Sequence, residues 1–363
     1  MISFRNHENT NISFGPGITI IWGENGSGKT SILEAIHSLS FGSSFRTNNK
    51  KELIKQGSNN FLIKGFFKNK KGVENTVFYS QDTSGNKKIK INKKEIRKRK
   101  DLLGLNNVVI FSPEEESITK SGPNNRRKFF NKVFSIVSKT YLEDLLSYNS
   151  VLEQRNAILK NSSKKSINKQ IEIWNRPFSE KCEKLWKQRK KLLGEFLEVF
   201  KETVKKIDLD IVCNISYDQK KIKKEETISF LEKTLETEIA LGFTTRGPHR
   251  DDFLFDWGGR AIRKHGSQGE HKMFLALLKI SELLFISKKT KKSPVFLIDD
   301  IFANLDVDRS KRLLRFVEKL KFQEKTKPQT IITTTDILEV QKEGFFSNYS
   351  KIKKQKLQIG ETP

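Results

Sequence analysis

The eight residues Gly23 to Thr30, GENGSGKT, constrain this chain more than any other stretch. They satisfy the pattern G-x-x-x-x-G-K-[ST] between an apolar run, GITIIW, and a helix marked by Ile32, Ala35, Ile36 and Leu39. In that context Gly23, Gly26 and Gly28 let the backbone curl until its N–H groups converge on phosphate, with Glu24, Asn25 and Ser27 completing the loop. Lys29 is placed to neutralise β/γ-phosphate charge, and the Thr30 hydroxyl to bind Mg²⁺. The expected fold is α/β, and the expected ligand is a nucleotide.

A second run fits the same site. PVFLIDD, Pro294 to Asp300, reads as a strand buried on both faces that ends in two carboxylates. Acids at the C-terminal edge of a parallel strand sit beside a phosphate crevice. Asp299 is the candidate Mg²⁺ ligand, directly or through water, and Asp300 the candidate catalytic carboxylate that polarises an attacking water.

The third motif, GSQGEHK, precedes the apolar helical run MFLALLKISELLFI. Ser267, Gln268 and Gly269 open this helix in the manner of a cap that presents backbone N–H groups to an anion. Two arrangements are open. The helix start holds the same phosphate as the P-loop, or it faces outward and meets the γ-phosphate on a second copy, giving a two-fold dimer closed by ATP.

Three blocks divide the chain. Residues 1–111 are strand-rich with one clear helix; 112–241 are mainly helical; 242–363 return to strand–helix alternation. Blocks one and three are expected to build one sheet that the middle block interrupts. Within the middle block, Arg126 to Leu159 carries helical spacing. Phe178, Cys182, Leu185, Leu192 and Phe196 form a stripe interrupted by Arg189, and Ile207 to Tyr217 alternate as a strand. A helix is expected from Ile228 to Leu241, and the two long helices are expected to form an antiparallel hairpin.

Lys and Arg number 69 against 43 Asp and Glu, a net charge of +26 that favours polyanionic partners. The clusters Lys87–Lys100, Lys187–Lys191 and Lys220–Lys224 are the candidate DNA footprint. No ordered aromatic platform accompanies them in sequence, which points to duplex backbone rather than base stacking. Cys182 and Cys213 make neither a disulfide framework nor a metal cluster. With no export signal and no long apolar span, the expected location is cytoplasmic, without membrane attachment.

Taken together, FRNHENTNISFGPGITIIWGENGSGKTSILEAI, SSFRT, FSPEEESITKSGPNNRRKFFN, LEQRNAILK, TTRGPHRDDF, GSQGEHK and LIDDIFANLD resemble the RecF family, in that family's order and over nearly the whole chain. The resemblance implies an ABC/SMC-like P-loop ATPase head split by a mainly helical insertion lobe. It implies ATP and Mg²⁺ as ligands, an ATP-dependent homodimer, and binding to duplex DNA and single-strand/double-strand junctions. Action with RecO and RecR in repair and replication, helping RecA load, follows from it too, with weak, DNA-stimulated ATP hydrolysis used as a release switch. It assigns Ser267 a trans contact to γ-phosphate and Asp306 the role of the acid in the loop after the Asp-Asp strand.

Departures from the family pattern carry expectations of their own. Asp300 stands where transporter ATPases have Glu, which suits slow turnover. A strand usually precedes FRN in that family; the expectation is that either this edge strand is missing or the start given is late. Glu270 and His271 replace a Gln-rich continuation, Asn131 replaces an Asp, and Thr334 and Thr335 occupy the region of a transporter switch histidine. The segment Thr244–Asp252 has no mechanism readable from sequence; His249 and Arg250 are expected to contact phosphate or a partner, or Arg250 to pair with Asp251 or Asp252. Arg126 and Arg127 read either as a solvated helix turn or as nucleotide- or interface-sensing residues. The competing readings are a membrane-transporter ATPase subunit and an SMC-like, nuclease-associated head.

Overall fold

The computed structural model describes residues 1–68, 72–161, 167–207, 210–219, 229, 231–300, 307–322, 327–335, 349–353 and 356–359. They form two compact units, one of Met1–Glu116, Lys206–Asp208 and Ser267–Pro363, the other of Ser117–Lys205 and Leu209–Gly266.

The first unit contains two sheets. One consists of β1 (Ile2–Phe4), β2 (His7–Asn9), β4 (Asn60–Lys68), β5 (Glu74–Asp82), β6 (Lys87–Ile91) and β7 (Lys94–Ile96), antiparallel in the order β2-β1-β4-β5-β6-β7. The other has the order β15-β14-β3-β13-β12-β8, from β3 (Ile18–Trp22), β8 (Val108–Phe111), β12 (Val295–Asp299), β13 (Thr330–Thr334), β14 (Tyr349–Lys353) and β15 (Lys356–Ile359). All neighbours in this second sheet pair in parallel except β14 and β15. Strands β8, β12 and β13 are buried along nearly their whole length, β8 as VVIF and β12 as an apolar run ending in Asp299, while β13 buries three threonines beside Ile331 and Ile332.

Helix α1 (Lys29–Phe41) touches β4 and β5 of one sheet and β13 and β8 of the other, so nearly every residue of it is buried. Its close approach needs Gly65: a Cβ there would lie 2.6 Å from Leu39 Cδ1. Helix α8 (Gln268–Thr290) packs on β8, and α9 (Val307–Lys319) follows β12 in the chain. Blocks one and three of the sequence therefore do share one sheet. The strand expected to be missing before FRN is present in short form: β1 pairs with β2 and, through Ile2 and Leu62, with β4.

The second unit contains α2 (Ser117–Lys120), α3 (Pro123–Val137), α4 (Lys139–Asn161), α5 (Ile167–Ile207), α6 (Leu235–Leu241) and α7 (Ile262–His265). A three-stranded sheet of β9 (Cys213–Asp218), β10 (Asp252–Trp257) and β11 (Arg260–Ala261) completes it, with β10 central. The rings of Phe130 and Phe253 stack with centroids 4.0 Å apart, joining helix to sheet. Contacts of Tyr148 with Phe178 and of Arg155 with Asn175 run in opposite directions along α4 and α5, the expected antiparallel hairpin.

Several sequence boundaries shift. The helical run from Arg126 to Leu159 breaks at Ser138, which is extended and accepts from the Tyr141 N–H, capping α4. Ile207 ends α5, and the alternating run becomes strand only at Cys213. The expected helix to Leu241 is described as the shorter α6, with residue 228 outside the described residues. Residues 242–266, grouped by sequence with the third block, lie in the second unit because β10 pairs with β9 along its whole length. No described helix is long and apolar enough to cross a membrane.

Candidate functional site

Register explains why three distant segments meet. In the parallel sheet β13 lies between β3 and β12, with Thr333 opposite both Ile21 and Asp299. The P-loop leaves β3 and the Asp-Asp pair ends β12, so both emerge at the same C-terminal edge, one strand apart. A cavity of about 750 Å³ opens there. Asn25, Gly26, Gly28, Lys29, Thr30, Asp299 and Asp300 line it.

Gly23, Gly26 and Gly28 have φ of 157°, 78° and 102°, within the range open chiefly to glycine. Gly28 has a second constraint, since a Cβ would stand 2.6 Å from His7 Nε2. His7 Nε2 donates to Gly28 O at 3.1 Å and Asn6 Nδ2 donates to Gly26 O at 3.0 Å, so β2 and the residue before it brace the loop. Lys29 Nζ donates to Gly23 O and Glu24 O at 2.8 and 2.9 Å, closing the loop on itself. Burial lowers the Lys29 ammonium from its ordinary range, and Asp300 and Asp299 partly restore it.

Thr30 Oγ1 donates to Asp299 Oδ1 at 2.9 Å, and Thr333 Oγ1 donates to the same oxygen at 2.5 Å. Desolvation raises the Asp299 carboxyl above its usual range despite both bonds, with Glu114 and Asp300 adding repulsion. Asp300 sits at φ 50°, left-handed, a conformation Asp tolerates better than most residues. Its N–H donates to Thr333 O at 3.1 Å.

These residues fit a nucleotide with a hard divalent cation. Ser27 Oγ is buried with no hydrogen-bond partner among the described residues, the loop is curled by glycines, and a cation and two acids share one cavity. Among the described residues no cluster of three or more His, Cys, Asp or Glu could hold a metal. A hard divalent cation held by Thr30 and Asp299 would draw its remaining oxygen ligands from phosphate or water.

Ser267 and Gln268 are exposed, and neither they nor Gly269 line the cavity. Ser267 caps α8: its Oγ accepts from Glu270 N at 3.2 Å while Glu270 Oε2 accepts from Ser267 N at 2.7 Å. This capping box explains Glu270, whose side chain occupies the positive helix end. Asp306 lies outside the described residues, as do Lys220–Lys224 and the whole of IFANLD.

Sequence reasoning missed several cavity residues. Thr333, rather than Thr334, meets Asp299, although Thr335 does line the cavity. Arg5 grips the fully buried Glu34 with two hydrogen bonds of 2.8 and 2.7 Å, and Arg46 approaches the same carboxylate at 3.7 Å. Both arginines line the cavity. The signal lay in FRN and SSFRT, which carried family resemblance without a local mechanism.

The Thr244–Asp252 segment is a structural hub of the second unit. Arg126 pairs bidentately with Asp252 at 2.9 Å, and Arg189 pairs with the buried Asp251 at 2.9 Å. Asp251 also accepts from Trp186 Nε1 at 2.8 Å and from Tyr217, and Asn131 accepts from Tyr141 and Arg189. Arg126 is thus buried rather than solvated, and Arg127 donates to Asp251 O at 2.8 Å. Arg250 pairs with neither acid: it lies over the Phe243 ring at 4.6 Å and donates to Thr244 O. Within Lys187–Lys191, Arg189 belongs to this buried network, leaving the lysines for solvent.

Comparison with known proteins places these features. The profile of the RecF/RecN/SMC N-terminal domain matches residues 1–358. A DNA replication and repair protein RecF of Ruminiclostridium cellulolyticum is 35% identical over 346 residues, 92% of this chain and 91% of that protein. A solved structure of the recombination mediator protein RecF with ATPrS, described within the RecFOR pathway, superposes with a TM-score of 0.83 at 30% identity, covering 99% of this chain and 96% of the other. The corresponding RecF–ATP structure gives 0.84 at 28%, with the same coverage.

Proposed function

The chain belongs to the RecF family, and from that premise we propose that it is an ATP-gated DNA-binding protein of recombinational repair and replication, acting in the cytoplasm. ATP occupies the cavity at the edge of the parallel sheet. The P-loop N–H groups and Lys29 bind its phosphates, and Thr30 and Asp299 hold Mg²⁺. Bound there, the metal would neutralise phosphate charge. Asp300 accepts hydrogen bonding from the attacking water, with a reach about one methylene shorter than Glu, so hydrolysis is slow and serves as release.

The observation that carries the dimer is the position of α8. Its capped, exposed start stands outside the cavity formed by Lys29, Asp299 and Asp300. A γ-phosphate bound by one protomer can therefore be met by Ser267, Gln268 and Gly269 of a second copy. Asp306 joins that closed site. The closed dimer binds duplex DNA or a single-strand/double-strand junction through lysine-rich surfaces, and cooperates with RecO and RecR in loading RecA.

Sedimentation of the protein with ATP and Mg²⁺ tests this reading. Wild type should dimerise, while Lys29→Ala and Ser267→Arg should remain monomeric. Ser267→Ala loses both the helix cap, worth about 1 kcal/mol, and the hydroxyl contact, and should dimerise more weakly than wild type but more than Ser267→Arg. Dimerisation of Ser267→Arg at the wild-type level would overturn the trans contact. Duplex affinity that rises with ATP separates this function from a transporter subunit, which would bind ATP without DNA.

A further inference from the structure

Two basic residues of the Lys87–Lys100 run, Lys87 and Arg99, converge on the C-terminal end of α1. On β6, Ile89 faces inward and belongs to the buried cluster that includes Ala35 and Leu39 of α1. Lys87, two residues before it, shares that face, whereas Lys88 and Lys90 point outward. Lys87 is half-buried, its Nζ donating to Gly42 O at 2.8 Å and lying 4.9 Å from the Tyr79 ring centre. Gly42 closes α1 in the left-handed conformation at φ 63°, and a Cβ there would stand 3.1 Å from both Ile89 Cδ1 and Leu102 Cδ1. Arg99 reaches the same helix end: Nε donates to Phe41 O at 3.2 Å and Nη2 to Ser43 Oγ at 2.6 Å. An ammonium and a guanidinium thus sit on consecutive carbonyls beside an apolar wall.

We propose that Lys87 is an acylation site whose donor is an acyl phosphate, with Arg99 and Lys50 receiving the donor's phosphate group. The Nζ lone pair attacks the acyl carbon, the bond from that carbon to the phosphate oxygen breaks, and orthophosphate leaves with the electron pair and the amine proton. The products are an amide and orthophosphate, and nothing is oxidised or reduced.

The attack needs a neutral amine, and an ordinary lysine is less than about 1% free amine at pH 8. Burial brings the pKa of Lys87 down to about 8, with repulsion from Arg99 and Lys50 adding to it. The Tyr79 phenol, pushed up to about 12 by burial, stays neutral and supplies no counter-charge. Desolvation beside other cations is a recurrent way to activate a lysine nucleophile. The neutral amine can keep one N–H on Gly42 O, which leaves its lone pair for the attack.

The same cations select the donor. Arg99 is exposed and commits Nε and Nη2 to the helix end, so Nη1 is left for phosphate oxygens. Lys50, exposed at the head of the turn Lys50–Leu53, adds a second charge. The amide product keeps an N–H for Gly42 O but loses the positive charge that suits a helix C-terminus. Acylation therefore acts on the helix whose other end carries Lys29 and Thr30. Lys50, Lys87 and Arg99 do not line the ATP cavity, so the site stands apart from the nucleotide reading.

Peptide mass spectrometry of the full chain treated with acetyl phosphate at pH 8 tests the proposal. Lys87 should acetylate about tenfold faster than the more exposed Lys64 and Lys88, and the preference should vanish in urea. Orthophosphate should slow Lys87 and leave Lys64 unchanged, a comparison made on wild type alone. Arg99→Ala should slow the reaction of Lys87 with acetyl phosphate more than with the uncharged thioester S-acetyl-N-acetylcysteamine, which separates phosphate recruitment from amine activation. Reaction of Lys87 no faster than that of Lys88, or a preference that persists in urea, would overturn the site. Equal slowing with both donors, together with no effect of orthophosphate, would overturn acyl phosphate as the donor.

Discussion

Thr30 Oγ1 donates a hydrogen bond to Asp299 Oδ1 at 2.9 Å, joining residues 269 positions apart at the mouth of the P-loop. Asp299 is thereby fixed before any metal arrives, but at a cost. Burial holds its carboxyl above the usual range. Without ligand, the fold binds that proton more tightly than the unfolded chain does, so this group's contribution is lost as pH rises through the folded-state value. Asp299→Asn keeps the oxygen that accepts from Thr30 and Thr333 and removes the buried charge. Its melting temperature without nucleotide should rise by about 2–4 °C. Mg²⁺ should no longer strengthen ATP binding, a result checked by calorimetric titration with and without the metal. A fall in melting temperature would show that the charge stabilises the site.

Glu270 places a carboxylate where the proposed dimer must accept a γ-phosphate. Its oxygen accepts from Ser267 N at 2.7 Å, at the positive end of α8. Glu270→Gln preserves the reciprocal capping bonds and removes the like charge. The ATP-dependent dimer should tighten by about two- to fivefold, the equivalent of 0.3–1 kcal/mol at a helix end. The monomer should lose a comparable amount of stability. A weaker dimer in analytical ultracentrifugation would assign the carboxylate an attractive role instead.

The P-loop, the buried Asp-Asp strand and the split sheet were legible because each has a short-range signature: glycine spacing, an apolar run, and strand–helix alternation. The rest depends on pairing between distant segments. Thr333 is indistinguishable from Thr334 in TTTD until β13 is set between β3 and β12. Arg126 and Asp252 are 126 positions apart, and Arg189 lies in a basic run that disguises its burial. Ser138 kept the helical spacing of its neighbours while capping the next helix, so periodicity alone ran through the break.

Arg189 and Asp251 are the charged pair at the centre of the second unit, 1% and 0% exposed at their side chains. Removing one member strands the other. Arg189→Met should cost about 3–5 kcal/mol in urea unfolding. Adding Asp251→Asn should recover part of that loss, because Asn still offers an acceptor to Trp186 and Tyr217 while removing the orphan charge. Additive losses in the double variant would mean that the pair does not act as a unit.

His249 sets a pH limit on the same unit. Its Nε2 donates to Thr244 O at 3.0 Å, which leaves Nδ1 to accept from the Tyr148 hydroxyl at 2.5 Å. Burial pushes its pKa down to about 4 from the usual 6.5, and Arg250, Arg127 and Arg155 oppose a second positive charge. The folded chain thus binds fewer protons here than the unfolded chain. The stability is present above pH 6.5 and is lost as pH falls toward the folded value of about 4. At pH 5 the loss relative to pH 8 should be about 2 kcal/mol. His249→Gln, which retains a donor and an acceptor, should flatten the slope between pH 7 and 5 in parallel urea melts. His7 is also lowered by burial and acts with the same sign in the first unit, so a residual slope should remain. An unchanged slope in His249→Gln would move the pH dependence to other groups and leave the Tyr148–His249 bond without a part in it.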